Sequence, residues 1–266
     1  MVEGGSRVGT RNAPGEVRPG AVPLISVITV VRNGASTIRN AIDSVAGQSF
    51  RDFEYLIVDG ASTDGTVEIL AECADRIDYW KSERDTGIYS AWNKALTLAR
   101  GEWVAFLGAD DAYYPDALEG YARKIASLSA ATHYISSRVE LVKNGKVVRT
   151  IGSRWAWPAF SRFMTVAHVG SLHHRSLFEE YGQFDDKYRL CGDYEMLLRP
   201  KGALRAEFLD RVTARMALGG VSNANEGLAL AEQERAKRDT GGRPGWLSAL
   251  ERRKARIVGA CRSLWY

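Results

Sequence analysis

An α/β fold with a doubly wound, mostly parallel sheet is predicted by three observations. Apolar runs of strand length recur along the first half of the chain, rich in Val, Ile and aromatic residues. Segments with helical spacing of apolar residues lie between them. The connections are short, as they are where each helix carries the chain back to start the next parallel strand.

The elements follow in order. LISVITVV (24–31) is a continuous β-branched run, the pattern of a strand buried on both faces. A helix begins near Ser36, with Ile38, Ile42 and Val45 on one face. FEYLIVD (53–59) is the second strand, and a helix from about Thr66 to Cys73 follows. IDYWKSE (77–83) is a shorter third strand, and Ile88 to Ala99 is helical. WVAFLG (103–108) is the fourth strand, and Pro115 suits the first position of a helix reaching about Ser127. Beyond this the pattern changes. Residues 134–152 alternate around Asn144-Gly145, a hairpin signal. Residues 155–188 are aromatic, hold several histidines and look irregular; a short helix at Tyr194–Leu198 and strands near 204–216 follow. This second half reads as elaboration of the same sheet. Three segments are expected: a disordered leader over 1–22, one domain over 23–226 divided near residue 115, and a basic helical tail over 227–266.

Composition narrows the function. The chain has 266 residues and a net charge of +4, but residues 235–266 carry nine Lys/Arg against two Asp/Glu. The body is therefore slightly acidic, which argues against nucleic acid as a partner. Three widely spaced cysteines suggest neither a disulfide framework nor a zinc site, and point to a reducing compartment. No apolar run approaches the length of a transmembrane helix. The tail 245–266 has apolar residues at 247, 250, 257, 261 and 264 with basic residues between them. Such a helix is expected to lie on an anionic membrane surface, or to pack on the body or a partner.

Ligands of doubly wound sheets bind at the carboxyl ends of the strands. Four polar clusters stand there: Arg32-Asn33, Asp59, Glu83-Arg84-Asp85 and Asp110-Asp111. Adjacent carboxylates repel, and Asp110-Asp111 would serve either to cap the following helix or to hold a divalent cation against a diphosphate. Convergence of four strand ends favours the cation. Asp59 is suited to accept hydrogen bonds from a base or ribose, whereas Asp64 reads as a helix cap. Arg84 and Asp85 precede a helix N-terminus at Gly87, where anions are favoured; they read equally as surface charges, and Lys94 as solvated. His168 is placed to line a pocket, while His173 and His174 read as packing residues. Asp193 and Glu195 both start the short helix near 194, and position alone does not choose which would take a proton.

The set "SVITVVRN", "VDGASTDGT", "DTGIYSAWNKAL", "FLGADD", "AHVG" and "CGDYEMLLR", in this order across residues 23–222, resembles glycosyltransferase family 2, and most closely its bacterial polysaccharide and glycolipid subgroup. The resemblance implies a GT-A fold with an acceptor half and inverting transfer of a sugar from a UDP- or GDP-sugar, UDP favoured, to a glycan or lipid-linked acceptor. It also implies Mn²⁺ or Mg²⁺, and a cytoplasmic enzyme at the inner membrane face. By position, Val30, Arg32 and Asp59 would hold the nucleoside, and Arg84 and Asp85 would lie by the donor sugar. Asp110 would contribute to donor binding and Asp111 would be the metal ligand. Asp193 would be the general base, and His168 would border the acceptor. Ser90 and Trp92 depart from the subgroup's usual Asp and Met, which bears on sugar selectivity. Two readings stand beside this one: a sugar nucleotidyltransferase, disfavoured by the lack of a Gly- and Lys-rich loop after the first strand, and a catalytically idle binding or assembly protein.

Overall fold

The computed structural model describes residues 2–5, 22–128, 131–219, 225–247 and 253. Its strands are β1 (Val2–Gly4), β2 (Ile25–Val31), β3 (Phe53–Asp59), β4 (Tyr79–Ser82), β5 (Trp103–Phe106), β6 (Ala112–Tyr113), β7 (Tyr134–Lys143), β8 (Lys146–Ile151), β9 (Ser171–His174) and β10 (Ala206–Ala217). Its helices are α1 (Ile38–Ala46), α2 (Thr66–Glu72), α3 (Ile88–Leu98), α4 (Ala117–Ala126), α5 (Trp157–Phe160), α6 (Arg175–Tyr181), α7 (Gly192–Leu198) and α8 (Glu226–Asp239).

All ten strands join one sheet in the order β1-β4-β3-β2-β5-β9-β7-β10-β6, with β8 paired to β7. The segment β4-β3-β2-β5 is wholly parallel. Every residue of β3 is buried, as a parallel strand covered on both faces requires. Two apolar clusters lie against the sheet. One gathers Ile38, Ile42 and Val45 of α1; the other gathers Tyr89, Ala91 and Ala95 of α3 with Met196 and Leu197 of α7. Beyond β5 the sheet turns mixed: β9 pairs antiparallel with both β5 and β7, and β7 pairs parallel with a bulged β10.

Three expectations are revised. Val2–Gly4, read as part of a disordered leader, pairs antiparallel with β4; the free edge of a sheet offers unpaired backbone groups to such a strand. Residues 6–21 lie outside the described residues. Within the supposedly irregular 155–188, Ser171–His174 forms β9 and Arg175–Tyr181 forms α6. The strand at 103–108 ends at Phe106, and the helix after Pro115 starts at Ala117. The first part of the tail, α8, packs on the body, with Ala236 and Glu232 buried against it. Most of 245–266, on which the expected membrane contact rests, lies outside the described residues. Among the described residues no helix is long and apolar enough to cross a membrane.

Candidate active site

The loops after β2 and β3 are laced into one wall. Asn33 N–H donates to Ser62 Oγ at 2.7 Å, and Thr63 N–H returns a bond to Asn33 Oδ1 at 3.0 Å. Asp59, fully buried at the end of β3, accepts from Ser62 N–H at 3.0 Å, from the Ser62 hydroxyl, and from Ser82 Oγ at the end of β4 at 2.6 Å. Asp59 thus ties the ends of β3 and β4 together and reaches the loop after β2 through Ser62, and a bound nucleoside would share it with the protein's own donors. Asp64, read as a helix cap, accepts from Thr66 N–H at 3.1 Å and stands one residue ahead of the N-cap position, which Gly65 fills.

Gly60 lets two predicted residues approach. A side chain there would meet Asp85 Oδ2 at 2.6 Å and Arg32 Cβ at 3.4 Å. Arg32 and Asp85 therefore flank the end of β3. Val30 sits beside Val58 in the parallel register, with its side chain half-buried. Arg84 is exposed, and its carbonyl accepts from Lys94 Nζ at 2.8 Å. Lys94 also pairs with Glu83 at 3.1 Å, so it anchors this loop rather than standing free in solvent.

The acid pair after β5 is tightly folded. A side chain at Gly108 would collide with Asp111 Oδ2, so the carboxylate packs directly against this glycine. Asp111 is 5% exposed, and its Oδ1 accepts from Ala217 N–H at the end of β10 at 3.0 Å. Burial, and then the like charge of Asp110, push its carboxyl up to about 7. Oxygen donors and an anionic charge this poorly compensated suit a hard divalent cation. Among the described residues no group of three or more His, Cys, Asp or Glu is arranged to hold a metal ion. An ion at Asp110-Asp111 would therefore complete its shell with diphosphate oxygens and water.

The second acidic centre starts α7. Asp193 Oδ1 accepts from Tyr194 N–H at 2.8 Å and from the Tyr89 hydroxyl of α3 at 3.2 Å. Burial raises its carboxyl to about 6, against the lowering effect of those two donors. Glu195, the other candidate, is consumed. It takes Arg199 Nη2 at 2.6 Å and the Thr240 hydroxyl at 2.8 Å. Of the two acids, Glu195 is therefore the one held in an ion pair. His168 lies in an aromatic layer, with ring centroids 4.8 Å from Trp92 and 5.2 Å from Phe106. Burial lowers its pKa to about 3, so it is a neutral ring there. His173 is fully buried, and His174 caps α6 by accepting from Ser176 N–H, the packing roles read for them.

Sequence reasoning missed Tyr89, Ser62 and Ser82. Each is a hydroxyl that donates to a carboxylate; for Tyr89 and Ser82 that carboxylate is distant in the chain, a pairing no spacing rule encodes. The proximity of "STDG" to Asp59 was the available signal for Ser62.

The structure is thus a doubly wound α/β sheet with Asp59 and the Asp110-Asp111 pair after its parallel strands and Asp193 at the start of α7. The chain belongs to the family described as glycosyl transferase family 2, whose model matches residues 26–175. It transfers a sugar from a nucleotide-sugar donor. A PGL/p-HBAD biosynthesis glycosyltransferase of Mycobacterium bovis is 31% identical over 216 residues, covering 76% of this chain and 80% of that protein. An uncharacterized glycosyltransferase of Rickettsia bellii is 36% identical over 185 residues, 65% of this chain and 27% of that protein. Among solved structures, S. aureus TarS 1-349 in complex with UDP-GlcNAc matches at TM-score 0.65 and 18% identity, covering 85% of this chain and 66% of that one. The mannosyltransferase PcManGT of Pyrobaculum calidifontis, in complex with GDP-Man and Mn²⁺, matches at TM-score 0.61 and 21% identity, again over 85% and 66%. These two share the GT-A architecture predicted from the sequence.

Proposed function

We propose that the protein is an inverting, cation-assisted transferase that moves a sugar from a UDP-sugar to a hydroxyl of a glycan or lipid-linked acceptor. The observation that carries the reading is the separation of two acids with different surroundings. Asp111 lies beside a like charge after β5, and Asp193 lies under a tyrosine hydroxyl at the start of α7.

The chemistry follows from these placements. Asp59, Arg32 and Val30 would hold the nucleoside, and Arg84 and Asp85 would border the donor sugar. Asp110 and Asp111 would hold Mn²⁺ or Mg²⁺, which when bound supplies positive charge to the departing diphosphate. Asp193, ionised above about pH 6, would take the proton of the acceptor hydroxyl. That oxygen bonds to the anomeric carbon as the bond to the diphosphate oxygen breaks on the opposite face, and the centre inverts. His168 and its aromatic layer would support the acceptor side. A lipid-linked acceptor is supported by the glycolipid-pathway name of the mycobacterial relative and by the basic amphipathic pattern of 245–266. The same features support peripheral contact with the cytoplasmic face of a membrane.

Calorimetry with UDP, GDP and dTDP, with and without Mn²⁺, tests the donor and the metal together. UDP is expected to bind most tightly, with Mn²⁺ strengthening it in the wild type and not in Asp111→Ala. Preference for GDP would reassign the donor, and Mn²⁺-independent binding would remove the metal role from Asp111.

A further inference from the structure

The loop that leads into Asp193 is held by a residue far along the chain. Glu232, on α8, is 6% exposed. Its Oε1 accepts from Arg189 N–H at 2.8 Å, and its Oε2 accepts from Leu190 N–H at 2.8 Å and Cys191 N–H at 3.0 Å. A buried carboxylate is costly unless donors satisfy it, and here three consecutive amides do so. These amides lie just ahead of α7, where no helical carbonyl is available to them. Other contacts fix α8 on the same segment. The Arg235 guanidinium lies 3.7 Å from the centre of the Tyr188 ring and donates to Lys187 O at 3.2 Å. The Cys191 thiol donates to Ala229 O at 3.4 Å.

From the other side, Tyr89 fixes the loop. A side chain at Gly192 would meet its ring at 2.8 Å, so ring and backbone are in direct contact. Asp193 therefore sits on a short segment gripped between α3 and α8. Neither α7 nor α8 falls within residues 26–175, which the family model matches.

We propose that Glu232 is a positioning residue for sugar transfer: by clamping the amides of Arg189, Leu190 and Cys191 it fixes the height and direction of Asp193 at the start of α7. This rests on the reading of Asp193 as the base. Glu232 does not touch substrate; it acts through the backbone it holds. Its negative charge also opposes ionisation of Asp193, and the other titratable groups facing Asp193 are Tyr89 on α3, Tyr134 on β7 and the Cys191 thiol.

The test uses the full chain labelled with [¹³C]aspartate, with the Asp193 carboxyl signal assigned by its loss in Asp193→Asn. In the wild type that signal should titrate near 6. In Glu232→Gln, which keeps the volume and removes the charge, the midpoint should fall by about 0.5 unit or more. The three amides should exchange with solvent about tenfold faster or more. UDP and GDP binding should stay as in the wild type. Release of nucleoside diphosphate from UDP-glucose, UDP-N-acetylglucosamine or GDP-mannose, with Mn²⁺ and water as acceptor, should lose kcat with KM unchanged. If Glu232→Gln does not fold, Glu232→Asp carries the amide-exchange readout, since its carboxylate keeps the charge but is drawn back from the amides by one methylene. An unchanged midpoint with unchanged amide exchange overturns the positioning role. Undiminished turnover by Asp193→Asn would instead strike the base assignment. An inactive Asp193→Asn beside a Glu232 variant that behaves as wild type would strike the positioning role alone.

Discussion

The turn after β5 and the first turn of α7 each hold a carboxyl group that burial lifts out of the ordinary range, to about 7 for Asp111 and about 6 for Asp193. Their neighbours differ in sense. Beside Asp111 the next strongest influence is another acid, Asp110, so the pair is held in a state that an added cation would relieve. Beside Asp193 the next influences are donors, Tyr194 N–H and the Tyr89 hydroxyl, which favour the carboxylate. On the proposed reading, one site would attract positive charge and the other would keep an anion ready to accept a proton. The same physical cause, desolvation, therefore acts on two carboxyls whose second neighbour has opposite character.

The largest test of this contrast is Asp193→Asn. An amide of the same shape keeps the fold and cannot take a proton. Turnover should fall by about 10²–10⁴-fold, with calorimetric binding of nucleoside diphosphate unchanged. If binding falls with turnover, Asp193 holds the donor and the division between the two sites fails.

Asp111→Asn should act on the other limb. Mn²⁺ enhancement of nucleotide binding should drop by about 10–100-fold. The wild type should also release a proton when it takes up Mn²⁺ below about pH 7, because Asp111 must ionise to bind the ion. Calorimetry in two buffers of different ionisation enthalpy reads that proton. Stability without metal follows the same sign. The folded-state value of about 7 lies above the ordinary value of 3.8, so the folded chain holds the proton more tightly than the unfolded chain. The stability linked to this proton is fully present below about pH 4 and is lost as pH rises through 7. Asp111→Asn should therefore be more stable than the metal-free wild type at pH 8, on the order of 1–3 kcal/mol by chemical denaturation, and should show no such gain at pH 4.

How far the sequence reveals these sites differs between the halves for a physical reason. In the parallel half, burial on both faces demands continuous β-branched runs, and FEYLIVD was read at the bounds where β3 lies. The four polar clusters were legible because parallel strands end on one side. In the other half, β9 is the four residues SLHH. It is a strand because β5 and β7 pair with it on either side, and two of its residues are histidines, so no apolar period announces it. The choice between Asp193 and Glu195 was likewise illegible. What distinguishes them is that Glu195 is held by Arg199 one turn on and by Thr240 beyond α8, and the second of these partners is 45 residues away. Long-range polar pairing leaves no trace in local spacing, which is why Lys94, Tyr89 and Glu232 could be assigned only from the fold.

Gly108→Ala probes how closely the metal turn is built. The added methyl group would overlap Asp111 Oδ2, and the clash must be relieved by moving the carboxylate or the turn. Mn²⁺ enhancement should weaken by about tenfold, and stability should fall by about 1–3 kcal/mol. Asp193 should be indifferent to this change, so the acidic limb of kcat/KM should stay near pH 6. A shift of that limb would show that the two centres are coupled.

The finest distinction concerns the hydroxyl of Tyr89. Its ring stacks on Phe184 at 5.7 Å, meets Trp92 edge-on at 5.2 Å and lies against Gly192, so Tyr89→Phe retains the packing and removes one hydrogen bond from the Asp193 carboxylate. That bond favours the ionised form, so its loss should raise the Asp193 midpoint above about 6 by roughly 0.3–1 unit. A base that ionises later is protonated over more of the acidic range. Turnover at pH 6 should therefore fall by about two- to fivefold while turnover at pH 8 barely changes. Glu232→Gln moves the same limb the other way, because it removes a negative charge rather than a donor. Opposite displacements from two substitutions flanking one carboxyl would identify Asp193 as the titrating group. Displacements in the same direction would mean that both variants report a general loosening of the α3–α7 contact.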